Sequence, residues 1–144
     1  MPTQQFLDDF LPISCIPSYS QPRPFWKGCF QTTLDATDEL KMYDPFIESI
    51  SPFAPQLHFV NSHSLGDKDN GYPFETKPDI STNTLGQIGA YATSQLASQF
   101  RTHCYSVYVN RDHARIIRWE RDGAIVTEPI FYNINSALTR FFSR

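Results

Sequence analysis

Between Thr84 and Tyr132 the apolar residues change their period, and that change dictates the architecture. Leu85, Ile88, Tyr91, Ala92, Leu96 and Phe100 recur at spacings of three and four, which lays them along one stripe of a helix. Thr84, with Gln87 three residues on, supplies a capping box for its start. After residue 101 the period becomes two. Cys104–Val109, Ala114–Trp119 and Ala124–Thr127 are rich in Val, Ile, Tyr and Trp, the side chains that suit a pleated, half-buried surface. Asn110–His113 and Arg121-Asp122-Gly123 provide the turns between them. The pattern predicts a helix over 84–101 and an antiparallel meander over 103–128. An amphipathic stripe must be buried, and the meander is the surface at hand. The expected class is α+β, with further helices at both ends.

At 144 residues the chain is of single-domain size and can bury a real core. Hydrophobic residues make up 40% of it and aromatic residues 15%, which excludes a wholly disordered chain. The net charge is -3 and the Lys and Arg residues are scattered, which argues against a dominant nucleic-acid surface, since phosphate binding needs clustered cations. Cys15, Cys29 and Cys104 are odd in number and far apart. They give neither a disulfide framework nor a zinc spacing, so the expected setting is reducing and intracellular, cytoplasmic or nuclear. The opening MPTQQFLDDFLP has no basic segment and no long apolar run, and no stretch has the length of a membrane span.

Thr3–Phe10 reads as a short helix ended by Pro12, with Phe6, Leu7 and Phe10 on one side. Pro17, Pro22 and Pro24 make 13–30 an extended connector, anchored by Phe25, Trp26 and Phe30. Residues 1–36 thus form a helix and a Pro-rich connector, and 37–144 an α+β body. Thr37–Phe53 is helical by pattern, with Leu40, Tyr43, Ile47 and Ile50 on one stripe. Pro45 either kinks it or opens a second helix capped by Asp44. Leu57–Asn61 reads as a short strand, 66–71 as a polar loop, and 72–82 as extended around Pro73 and Pro78. Asn133–Arg144 reads as a last helix with Ile134, Leu138, Phe141 and Phe142 apolar. Two adjacent phenylalanines there need partners for burial, so the 144 residues are expected to form a single, incomplete domain.

His58, His63, His103 and His113 make no metal pair at helical spacing, and no Gly-rich phosphate loop or Gly-x-Ser-x-Gly elbow occurs. The residues with chemical promise are Glu75, Lys77, Asp79, Gln87 and Tyr91. A Pro-Asp dipeptide, an acid-x-Lys on a strand and a Gln-x-x-x-Tyr on the next helix resemble the core of PD-(D/E)xK nucleases. There, two acids hold Mg²⁺ and the lysine polarises water or phosphate. Asp79 is the candidate metal ligand. Pro78-Asp79 and Gln87–Tyr91 match that pattern, but Ile80–Gly86 carries neither acid nor lysine. Glu75-Thr76-Lys77 has the right types ahead of Asp79, so it serves only if Asp44, Asp67 or Asp69 replaces the first acid. Against this stands the simpler expectation that Lys77 and Asp79 are exposed and Gln87 is a capping partner.

Taken together, LKMYDPFIESI (40–50), YPFETKPDIS (72–81), GQIGAYATSQLASQFRTHCYSVYV (86–109), ARIIRWERDGAIVTEPIFY (114–132) and the closing LTRFFSR resemble the N-terminal region of the fungal-type protein kinase family. The resemblance is most specific over 86–132. It implies a nuclease-like α+β core ahead of a kinase lobe. In that family a strand carrying Glu-Phe-Lys lies between the Lys-Pro-Asp segment and the Gly-Gln helix. Here Asp79 and Gln87 are nearly adjacent, so that strand has no counterpart and the sheet is expected to expose an edge. No Gly-rich ATP loop, His-Arg-Asp or Asp-Phe-Gly is present. The resemblance therefore implies a non-catalytic relative of the N-terminal region that takes no cofactor and acts through a protein partner. The alternative is a Mg²⁺-dependent nuclease-like enzyme or its degenerate remnant.

Overall fold

A computed structural model describes residues 1–12, 28–59, 89, 92–93, 95–97 and 101–144. Its class is α+β. A three-stranded antiparallel meander, β1 (His103–Val109), β2 (Ala114–Glu120) and β3 (Gly123–Val126), runs in the order β1-β2-β3, and helices flank it in sequence on both sides. The strands fall where the period of two places them. The register pairs Cys104 with Trp119, Val107 with Ile116 and Trp119 with Ala124.

Alternation along the strands splits the meander into two unlike faces. On the first, Tyr105, Val107, Val109, Ala114, Ile116 and Ile125 join the main core with Phe6, Leu7, Phe30, Ile50 and Leu138. On the second, Cys104 and Trp119 meet Ala92 and Leu96 of the central helix, whose described residues are 89, 92–93 and 95–97. This is the helix-on-meander packing that the change of period demands. The approach is close at Gly89, where an added Cβ would lie 3.7 Å from the Trp119 ring.

Helix α1 (Thr3–Phe10) has the expected bounds, and its buried Phe6 and Leu7 put it in the same core as the sheet. The connector that follows keeps its aromatic anchor at Phe30, which is wholly buried. Phe25 and Trp26 lie outside the described residues. Gly28 turns the chain with φ +88, a region open to glycine at no steric cost, and its N–H donates to the Asn133 carbonyl at 3.0 Å. A short helix, α2 (Gln31–Leu34), then forms where no helix was expected.

Three expectations need correction. The segment 37–53 is not one helix. A 3₁₀ turn (Leu40–Met42) leads into α3 (Tyr43–Ile50), and a second 3₁₀ turn (Ser51–Phe53) closes it. Pro45 lies in the first turn of α3, where its missing N–H removes no helical bond, so it neither kinks the helix nor takes its first position. Leu40 leaves the apolar stripe and is 59% exposed. Residues 57–59 carry no regular structure where a strand was expected; 60 and 61 lie outside the described residues. The last helix spans only Ala137–Phe142, because the Asn135 side chain accepts the Ala137 N–H and sets a new start. Ile134 falls in the preceding turn and is 62% exposed. Phe141 and Phe142 do find partners, since their rings meet Tyr105 and Phe59, each at 5.7 Å.

The outer side of β2 is satisfied beyond the end of β3. Ala114 and Ile130 exchange both backbone bonds, while the Thr127 hydroxyl accepts the Ile116 N–H and the Thr127 N–H donates to the Ile116 carbonyl. The far side of β3 is met by Met1. Its amino group donates to the Val126 carbonyl at 3.0 Å and its carbonyl accepts the Glu128 N–H at 2.9 Å.

Candidate functional site

Glu75, Lys77, Asp79, Gln87 and Tyr91, with Asp67 and Asp69, lie outside the described residues, as does the proposed capping pair Thr84–Gln87. Asp44, the third alternative first acid, sits exposed in the first turn of α3. Among the described residues no group of three or more His, Cys, Asp or Glu side chains is placed to hold a metal ion.

Ionisable residues gather at the two ends of the meander. At the open end, His103 lies directly opposite Glu120 and Tyr105 opposite Arg118, all on the face towards α1. The Arg118 guanidinium stacks 4.3 Å over the Phe10 ring and bonds Glu120 at 2.9 Å. Its Nε is buried with no partner. The Tyr105 hydroxyl donates to the Phe10 carbonyl, and burial raises its pKa, with Arg118 opposing and Glu120 assisting. Tyr105 and Arg118 thus fasten α1 to the sheet, with Glu120 holding the guanidinium. Sequence reading missed this arrangement because only the β1–β2 register brings His103 and Tyr105 beside the Arg118–Glu120 pair of β2.

At the hairpin end, the His113 ring meets the Asp112 carboxylate at 2.7 Å, and that bond holds Asp112 below the usual carboxylate range. Phe131 lies beside the His113 ring. The pair is an oriented imidazole, and its geometry closes a turn already fixed by the Asn110 N–H bond to the His113 carbonyl at 2.8 Å. Both described cysteines are free thiols. Burial raises the pKa of each, which disfavours the nucleophilic thiolate.

The same hairpin is held from beneath by Tyr132. Its hydroxyl donates to the carbonyls of Asn110, at 3.1 Å, and Arg111. Burial, with a smaller contribution from Asp112, pushes its pKa up to about 12. An unfolded tyrosine titrates near ~10. Between those values the native state keeps a proton that the unfolded state has lost, so stability falls as pH rises through that window. Replacing Tyr132 with Phe should cost about 1 kcal/mol at neutral pH and flatten the stability loss above pH ~10. Urea unfolding from pH 8 to 12 reads both effects. A Tyr132→Phe chain with the same alkaline slope as the parent would contradict the assignment.

In comparisons with protein families, curated proteins and solved structures, no match to this chain is found. The fold and the described geometry define a small α+β module, a helix-on-meander body clasped by short helices. No described helix is long and apolar enough to cross a membrane.

Proposed function

We propose that these 144 residues form a non-catalytic protein-interaction module related to the N-terminal region of fungal-type protein kinases. The observation that supports this reading best is the packing of Ala92 and Leu96 on Cys104 and Trp119. Those four residues lie inside the 86–132 block on which the resemblance rests. Helix and strands from that block thus make one packed unit, as an inherited domain core would. The module works inside the cell, takes no cofactor and engages a protein partner rather than nucleic acid. Its sequence has none of the Gly-rich, His-Arg-Asp or Asp-Phe-Gly segments that position ATP and metal.

Two measurements on the full chain test the reading. Calorimetry with MgATP should show no binding. Micromolar affinity that a point substitution in this chain abolishes would overturn it. DNA incubated with the chain and Mg²⁺ should stay intact. Cleavage lost on Asp79→Ala or Lys77→Ala would replace the proposal with the nuclease reading, in which Glu75, Lys77 and Asp79 act on the metal and the attacking water while Gln87 and Tyr91 brace them.

A further inference from the structure

The outward edge of β1 can be read residue by residue. Ala114 and Ile116 spend their backbone groups on Ile130 and Thr127, on the β3 side of β2. The alternation of an antiparallel ladder then points Arg115, Ile117 and Trp119 towards β1, where they face Tyr108, Ser106 and Cys104. The Asn110 N–H bond to the His113 carbonyl confirms the parity, because Asn110 also faces β2. His103, Tyr105, Val107 and Val109 must therefore aim their N–H and C=O groups the other way. Among the described residues β1 pairs with β2 alone. The row HCYSVYV contains no Pro, Gly, Lys, Arg, Asp or Glu, so the strand itself carries none of the residues that blunt an edge.

The row is also complementary to itself. Laid antiparallel to a second β1 about a two-fold axis at Ser106, Tyr105 falls opposite the partner's Val107 and His103 opposite the partner's Val109. These are all outward-pointing residues, so each opposed pair exchanges two backbone hydrogen bonds. Every outward N–H and C=O of the four residues is then satisfied. Tyr–Val is a favourable cross-strand pair and no like charges are opposed. Because the axis is perpendicular to the sheet, the core face of one copy continues into the core face of the other. Ser106 meets its own copy at a non-hydrogen-bonded position.

We infer that β1 is a homodimer edge, through which two copies of this chain join their meanders into one continuous six-stranded sheet. The symmetric register closes the assembly at two copies, since each chain contributes its single β1 edge. The inference does not rest on the kinase-family ancestry.

Sedimentation of the full chain at about 100 μM should give twice the 16.6 kDa chain mass. Val107→Pro removes one outward N–H without touching the β1–β2 ladder, and should give a folded monomer by sedimentation and circular dichroism. Val107→Thr, which keeps the N–H, should remain dimeric. The register is tested by Ser106→Cys in a Cys15→Ser/Cys29→Ser background. Non-hydrogen-bonded pairs bring Cα atoms to about 4.5 Å, within disulfide range. Mild oxidation should crosslink most of that chain as a dimer, and Arg121→Cys, in the β2–β3 turn, should not crosslink. A monomeric parent, a folded Val107→Pro dimer, or no Ser106→Cys crosslink would each overturn the inference. If Val107→Pro fails to fold, the crosslink decides.

Discussion

Replacing Phe30 with Ala should remove about 3–5 kcal/mol of stability, a large share of the roughly 5–15 kcal/mol that holds a domain of this kind. Phe30 is wholly buried. Its ring meets Tyr132 edge-on at 5.0 Å and Phe46 at 5.6 Å, so it joins the segment after the connector to α3 and to the turn that follows the Ala114–Ile130 bridge. Truncation loses the burial and both aromatic pairs, and leaves a cavity between elements that cannot collapse independently. Its backbone N–H bond to the Asn133 side chain survives in alanine, so the cost isolates the ring. The thermal midpoint should fall by about 10 °C or more. Phe131 is the contrast. It is 48% exposed, and Phe131→Ala should change stability by no more than about 0.5 kcal/mol. Equal losses at the two sites would mean that the core is wrongly placed.

Arg144→Ala should cost about 2–4 kcal/mol, because charged hydrogen bonds to buried acceptors are the strong ones. The guanidinium, with its side chain only 6% exposed, donates to the carbonyls of Leu7, at 2.7 Å, and Leu11, at 2.9 Å. Helix α1 has no basic residue in its own last turn, so Arg144 supplies the cation that its carbonyl end attracts. Burial, with repulsion from Arg140, lowers the Arg144 pKa, while Asp8 acts the other way. Asp8 is the looser contact, at 3.8 Å, and is exposed. Most of the loss should therefore persist in high salt, since carbonyl bonds are not screened as surface ion pairs are. Denaturant titration of Arg144→Ala and Asp8→Ala at low and high salt checks this. A larger loss for Asp8→Ala would show that the ion pair, not the helix cap, carries the effect. Arg144→Lys should recover only part, because one ammonium cannot reproduce the planar fork that reaches two carbonyls.

The chain's local periods were legible without a structure. Three and four give a helix, two gives a strand, and both follow from backbone geometry that each residue carries with it. Hence α1 and the β1-β2-β3 meander lie where the sequence places them, and Ala92 and Leu96 do bury against the strands. Phe6, Leu7, Ile50 and Leu138 were legible as core for the same reason. The nuclease-like motif of Glu75, Lys77, Asp79, Gln87 and Tyr91 lies outside the described residues, so its reading rests on residue types and spacing.

Other features depended on partners far away in sequence. Leu40 and Ile134 fit their apolar stripes by spacing, yet both are exposed, because a 3₁₀ turn and the Asn135 side chain rotate them off the buried face. Phe141 and Phe142 looked unpartnered and are covered by Tyr105 and Phe59. The Arg118–Glu120–His103 alignment exists only once the β1–β2 register is set. Tyr132 closes the Asn110–His113 turn, and Arg144 caps α1 across nearly the whole chain. Sequence alone determined α1 and the meander, since periodicity is a property of neighbours, while the bounds of the other helices waited on tertiary contacts. Tertiary structure decided the caps, the buried hydroxyls and the ion pairs, because a lone donor or charge has no preferred acceptor until folding brings one within about 3 Å.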